Sequence, residues 1–335
     1  MLRLYKKILL LIIFKIILLI FSNNPKNKFY YLRQSFLNNL YNKTRLNLTH
    51  INILFLKGKS RTGNFFISIN NAIIFCELVG CKKLIIEFNK KIFIEHPIFY
   101  RKYHLSIEPN QTVNFKDNNN VNMNIHFFYF LNKNILGEVN RFNIFKNEIL
   151  NNIPKMKTNP KDLYIYIRGG DIFYNYKRSI RSYAQPPLCF YKKILEQFKF
   201  RKVYIISQDK LNPVISLLIE NYTFIIYKSN KLKIDISYLA YSTNIVSAKS
   251  SFIVSIIKIN DKLKNLWEYD FYKLSERYLH LHYSVYTFPF KYTIYKMNPS
   301  KKYKKSMYPW INSIQQKMMM IKEKCINKFY IIRPR

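Results

Sequence analysis

The run Leu163–Phe173, LYIYIRGGDIF, constrains this chain more than any other stretch. A short β-forming segment stops at an arginine, two glycines and an aspartate, as a buried parallel strand does when it delivers charge to its carboxyl end. Open α/β sheets bind ligands at that edge. Arg168 offers a planar fork that matches a phosphate at two points, and Gly169 and Gly170 would let a ligand come close to the backbone. The expected ligand is a phosphate.

A second stretch, Asp235–Phe252 (DISYLAYSTNIVSAKSSF), reads as a helix from Asp235 to about Tyr241, a strand Asn244–Ser247, and an apolar helix opened by Ser250 and Ser251 and running to Ile257. Serines at a helix start place hydroxyls beside unpaired backbone N–H groups at the positive end of the dipole. Two anion sites on neighbouring strand ends suit one diphosphate. Taken singly, each residue has a plainer role. Arg168 can brace its turn through Asp171, the serines can be caps, and Asp235 can be an N-cap.

Together these residues resemble the fucosyltransferase superfamily of GDP-sugar enzymes, in which a strand ends in H-x-R-R-x-D and a later Asp precedes a Ser-Ser pair. Tyr166 stands at the His position, Arg168 matches the first Arg, Gly169 replaces the second and Asp171 matches the Asp. Asp235 lies sixteen residues before Ser251. The resemblance implies a GT-B-like architecture of two facing Rossmann-like domains. It also implies that Arg168, Ser250 and Ser251 hold the GDP diphosphate, that Asp235 reads the guanine edge, and that a sugar, fucose first, passes to a glycan acceptor by metal-independent inverting displacement. The departures at Tyr166 and Gly169 favour an alternative, a relative that binds nucleotide or glycan without transfer.

Upstream, residues 51–87 read as strand, turn, helix and strand, similar to the first βαβ unit of the same superfamily, with a cleft loop at Gly58, Gly63 and Asn64. The GKS within it is not a P-loop, because Ile53 occupies the place of the first glycine. Residues 1–21 carry Arg3, Lys6 and Lys7 ahead of an apolar run, and no small-residue cleavage site follows. The expectation is an uncleaved signal anchor with a stem at 22–50, a single-pass type II protein of the Golgi or ER membrane with its catalytic part in the lumen. Sequons at Asn42, Asn47, Asn110 and Asn221 agree with that compartment. Four cysteines (Cys76, Cys81, Cys189, Cys325) allow three pairings into two disulfides, with Cys76–Cys81 possible but not favoured.

A net charge of +38 points formally to nucleic acid or an anionic membrane. The excess is compositional, since lysine is spread along the chain with Asn, Ile, Tyr and Phe, and no nucleic-acid partner is expected. A nucleic-acid-associated protein remains the rival reading from charge. A basic cleft would also help capture an anionic sugar nucleotide.

The proline-bearing segment 151–160 divides a domain at 51–155 from a nucleotide-sugar domain at 156–335. Within the second, strands at 163–167, 202–206, 223–227 and 244–247 alternate with helices at 187–198, 211–220 and 250–258, which predicts a covered parallel sheet. Lys116–Asn124 reads as an unstructured Asn-rich loop ahead of a strand at 125–130. A helix is expected at 139–150. The tail from Asp261 reads as irregular, with a Met-rich helix at 311–324 returning to the first domain. Glu268-Tyr-Asp270 in that tail is the nearest approach to a D-x-D metal motif, so neither metal nor other cofactor is expected. No catalytic base stands out. Glu196 and Asp209 are in the right domain without a motif, and His280 and His282 have no catalytic partner.

Overall fold

The computed structural model describes residues 142–174, 183–271 and 291–333, and within the first part of the chain 53–57, 66, 68–73, 76, 81–86, 98–100, 105–109 and 120–124. The anchor and stem regions, the Gly58, Gly63 and Asn64 loop, the sequons at Asn42, Asn47 and Asn110, and His280 and His282 lie outside them. Among the described residues no helix is long and apolar enough to cross a membrane. The chain forms two compact units, Met1–Phe145 and Lys146–Arg335.

The first unit holds β1 (Ile53–Lys57), β2 (Lys83–Ile86), β3 (Ile98–Tyr100), β4 (Leu105–Pro109) and β5 (Asn120–Asn124) in the order β3-β4-β2-β1-β5, with only β3 antiparallel to its neighbour. Between β1 and β2, helical positions Phe66, Ile69, Ile73 and Cys76 recur at one-face spacing and are all buried. Cys76 and Cys81 are buried and stand outside any disulfide. β5 corrects the expected Asn-rich loop. Asn120–Asn124 pairs residue for residue with Ile53–Lys57, because the outer edge of β1 needs backbone partners that any side chain's main chain can supply.

α1 (Phe142–Asn151) runs across the division between the units, and the sheet of the second contains β6 (Leu163–Tyr166), β7 (Val203–Ile206), β8 (Ile225–Lys228), β9 (Asn244–Ser247), β10 (Asn265–Tyr269), β11 (Thr293–Met297) and β12 (Tyr330–Ile332). Their order is β12-β11-β10-β9-β6-β7-β8, parallel throughout except for β12. Counted from β6, the six parallel strands follow 3-2-1-4-5-6, the Rossmann order, and the chain reverses direction across the sheet between β6 and β9. The α/β class with parallel-dominated mixed sheets is as the sequence indicates.

Local chemistry sets the helices between these strands. Asn212 caps α4 (Pro213–Asn221), accepting from Val214 N–H at 3.1 Å with proline at the first helical position. Ser250 caps α6 (Ser251–Ile259) through Phe252 N–H at 3.1 Å. α3 (Leu188–Gln197) turns Phe190, Tyr191 and Ile194 into the core, where they meet Ile165, Trp267 and Tyr269 from the strands. α5 (Leu232–Tyr241) packs with α6, on the face opposite α3 and α4 as right-handed crossovers require.

Within the described residues the tail is regular where it was expected to be irregular. It supplies β10 to β12, α7 (Lys301–Ser306) and α8 (Ile314–Lys322). α8, started by a Ser313–Gln316 capping box, packs on α3 and α4 of its own unit. The weak apolar period hid these elements because their burial comes from aromatic contacts, such as Trp267 stacked on Tyr295 with centroids 5.0 Å apart. A disulfide joins Cys189 in the first turn of α3 to Cys325 beyond α8.

Candidate functional site

β6 and β9 are neighbours, so the loops leaving their carboxyl ends flank the switch point. Arg168 follows β6 and Ser250–Ser251 follow β9. The environment of the Tyr166 phenol links them. Burial raises its pKa, while Arg168 and a hydrogen bond with Ser250 lower it and the charges of Asp235 and Asp171 act on it as well. Five of the residues singled out from the sequence thus share one neighbourhood.

Arg168 is positioned by its surroundings more than it is paired. Its side chain is 12% exposed, and its guanidinium carbon lies 4.2 Å from the Tyr183 ring centroid. The nearest carboxylate among the described residues is Asp171 Oδ1 at 3.7 Å, too long for a hydrogen bond. Its backbone carbonyl accepts from Asn212 Nδ2 at 3.2 Å.

The two glycines serve a different purpose from the one expected. A Cβ on Gly169 would lie 2.3 Å from Asp209 Oδ1, so the close approach is made by that carboxylate instead of by a ligand. Gly170 has φ +70°, a conformation natural to glycine, and its N–H donates to Asp209 Oδ2 at 2.8 Å. Asp209 also accepts from Leu211 N–H at 3.0 Å. A carboxylate committed to two backbone N–H groups is a brace, which removes Asp209 as a candidate base and gives it the role expected of Asp171. Asp171 itself starts the short α2 (Asp171–Tyr174). Glu196 is removed as well. It lies exposed in the last turn of α3, at the opposite, amino-terminal edge of the sheet.

Asp235 sits inside α5, which begins at Leu232, and so is not an N-cap. It is 8% exposed and accepts from Asn230 Nδ2 at 3.0 Å. Burial lifts its pKa to about 6 against the opposing pull of Asn230. A carboxyl group desolvated in the first turn of a helix at the ligand edge is suited to accept N–H bonds from a planar base.

Two residues were not anticipated from the sequence. Lys249 lies in the connection from β9 to α6, its ammonium 5.7 Å from the Phe271 ring centroid and its pKa lowered by burial to about 8, with Asp270 opposing. Gln185, at 0% exposure, donates to Tyr183 O and Lys249 O. The sequence signal for Lys249 was its place just before the Ser250 cap. Gln185 lies in the segment Tyr183–Pro187 that leads into α3, where the prolines mark the helix start and no feature marks the glutamine itself.

Glu268 and Asp270 at the end of β10 do not form a metal site. Lys296 Nζ lies 3.9 Å from Glu268 and 3.7 Å from Asp270, so an ammonium stands where a cation between the two carboxylates would go. Tyr330 donates to Asp270 at 2.8 Å. A concave pocket of about 460 Å³ lies at the amino-terminal edge, lined by Thr158, Thr243, Asp261, Lys262, Lys264 and Lys291. It lacks helix N-termini and a buried arginine, and the strand topology favours the opposite edge as the ligand site. Asn221, at the end of α4, is exposed, as a glycan acceptor must be.

Compared with known protein families, with curated proteins and with solved structures, the chain matches none.

Proposed function

We propose that the chain is a glycosyltransferase of the GDP-sugar type, fucosyltransferase-like, with its donor diphosphate held at the switch point of the second unit. The observation that carries this reading is the 3-2-1-4-5-6 strand order with Arg168 on one side of the reversal and the Ser250–Ser251 helix start on the other. Arg168 and the α6 N-terminus would neutralise the departing diphosphate, and Asp235 would read guanine. In the reaction a glycan hydroxyl oxygen bonds to the anomeric carbon from the face opposite the donor. The bond from that carbon to the diphosphate oxygen breaks, GDP leaves with the electron pair, and the hydroxyl proton passes to a base. No divalent ion is required in this scheme.

In the full proposal the first unit is the acceptor-side domain of a GT-B enzyme, and the protein is lumenal behind its anchor. The Cys189–Cys325 disulfide supports an oxidising compartment. One observation favours a second reading, a relative that binds without transfer. Neither Asp209 nor Glu196 is placed to act as base, and Tyr166 and Gly169 depart from the resembled motif.

Calorimetric titration of the full chain with GDP, UDP, CMP and ADP, with and without EDTA, tests the site. GDP should bind most tightly and indifferently to the chelator. Equal affinity for all four, or binding only with added Mn²⁺, would defeat the proposal. Transfer from a GDP-sugar to a glycan separates the two readings.

A further inference from the structure

The loop leaving β6 and the loop leaving β9 carry the two halves of the candidate site, and one buried side chain touches both. Gln185 Nε2 donates to Tyr183 O at 3.0 Å and to Lys249 O at 3.4 Å. Tyr183 is the ring beneath Arg168, and Lys249 is the residue before the Ser250 cap. From the other side, the Tyr303 hydroxyl of α7 donates to Gln185 O at 2.7 Å. Tyr303 is itself fully buried.

We propose that Gln185 is a positioning residue that fixes the separation between the Arg168 half and the Ser250–Ser251 half of the anion site, with Tyr303 holding it in place. The inference rests on the diphosphate reading of this crevice. A diphosphate engaging both halves needs its two sets of donors at one spacing, and donors held there beforehand bind more tightly than donors that must be gathered. The amide is committed in orientation, because exchanging its nitrogen and oxygen would set Oε1 against two carbonyl oxygens. Its Oε1 is buried with no hydrogen-bond partner. A bare space-filler of the same length would avoid that unsatisfied acceptor, so the amide's value lies in the two carbonyls it joins.

Gln185→Met keeps the length and volume while losing both donors and the orphan acceptor. The variant should melt within a few degrees of the parent, and its GDP and pyrophosphate affinities should fall about tenfold. Amide exchange at Ser251–Ile253 should speed up, while exchange in α4 stays as in the parent. Tyr303→Phe, the milder change, should weaken GDP about threefold, which keeps the test usable if Gln185→Met folds poorly. A lower melting temperature with unchanged affinity would make Gln185 merely structural and overturn the proposal. Unchanged exchange at the start of α6 would overturn it too, whether or not GDP binds. Failure of the parent itself to bind GDP or pyrophosphate would sink the diphosphate reading separately, leaving amide exchange to decide whether Gln185 couples the loops.

Discussion

Two arginines stand at opposite edges of the seven-stranded sheet, and they are held in opposite ways. At the amino-terminal edge Arg201 donates twice to Asp162, at 2.8 Å each, while 48% of its side chain is exposed. At the carboxyl-terminal edge Arg168 is 12% exposed, lies over a ring, and has its nearest carboxylate at 3.7 Å. The surroundings differ in the same sense. Near Arg201, Asn244 Nδ2 donates to Pro160 O and Asp162 O, and Asn265 donates to Asn244 Oδ1. Near Arg168, Asp235 and Lys249 are both pushed toward their neutral forms by burial, and Gln185 Oε1 is unsatisfied. Polar groups saturated within the fold build the fold. Desolvated groups gathered at a strand-end crevice are the pattern of a site that completes its bonding with a ligand.

The largest effect should come from removing what braces the carboxyl-terminal edge. The tail reaches the crossover after β6 through Trp310 Nε1 to Ile172 O at 3.0 Å, Asn312 Nδ2 to Phe173 O at 2.7 Å, and the Cys189–Cys325 bond, which closes a separation of 136 residues. Replacing both cysteines by alanine should cost roughly 2 to 5 kcal/mol of stability, read from the denaturant midpoint. A reducing agent should lower the parent's midpoint similarly and leave the variant's unchanged. A midpoint indifferent to both treatments would show that the hydrogen bonds alone hold the tail.

The two arginines should then give crossed results. Arg168→Lys keeps the charge but loses the fork, and GDP binding should weaken more than tenfold, on the order of 1.5 to 3 kcal/mol, with the melting temperature little changed. Arg201→Lys should lower the melting temperature, because Asp162, at 2% exposure, loses its two-point partner, and GDP affinity should not move. The reverse outcome, stability lost at 168 and affinity lost at 201, would place the ligand at the wrong edge.

Much of the second unit was legible because its strands are short apolar runs ended by turn residues. β6 and β9 fall within one residue of their expected bounds, and the parallel alternation that puts their carboxyl ends at one edge was readable from the strand and helix pattern. What stayed hidden depended on partners far along the chain. The claim of Asp209 on Gly169 and Gly170 spans about forty residues, and nothing local to LYIYIRGGDIF announces that a carboxylate fills its glycine turn. The helix holding Asp235 starts three residues early because Lys231 and Leu232 continue a turn that carries no capping side chain. The tail failed as a reading for the same reason, since β10 is fixed by pairing with β9, β11 with β10 and β12 with β11.

Acidity should separate Asp235 from a purely structural carboxylate. Guanine offers two N–H groups that only the ionised form can accept together, and with a pKa of about 6 the ionised fraction falls from about nine-tenths at pH 7 to about one-tenth at pH 5. GDP affinity should drop about tenfold over that range and UDP affinity less. Stability runs the other way. The folded pKa lies above the ordinary 3.8, so the folded state takes up the proton first, and this group's contribution is full below about pH 4 and lost as pH rises through 6. Asp235→Asn should therefore be no less stable than the parent at pH 7 while losing the pH dependence of GDP binding. A flat parent profile from pH 5 to 7 would take the base-reading role away from Asp235.

The smallest expected effect bears on the comparison most directly. Lys262 and Lys264 line the amino-terminal pocket, whose shape and charge alone would make it the anion site of a basic chain. β9 separates the two edges, and at about 3.3 Å per residue its four residues span on the order of 13 Å. That exceeds the Debye length of about 8 Å at physiological salt, so exposed charges at one edge are largely screened from the other. Lys262→Gln with Lys264→Gln should accordingly change GDP affinity less than about twofold at 0.15 M salt. At about 0.01 M salt, where screening reaches about 30 Å, the loss should grow modestly and appear in the association rate. A tenfold loss at physiological salt would mean that the ligand touches those lysines, and the carboxyl-terminal edge would then be the one built only for structure.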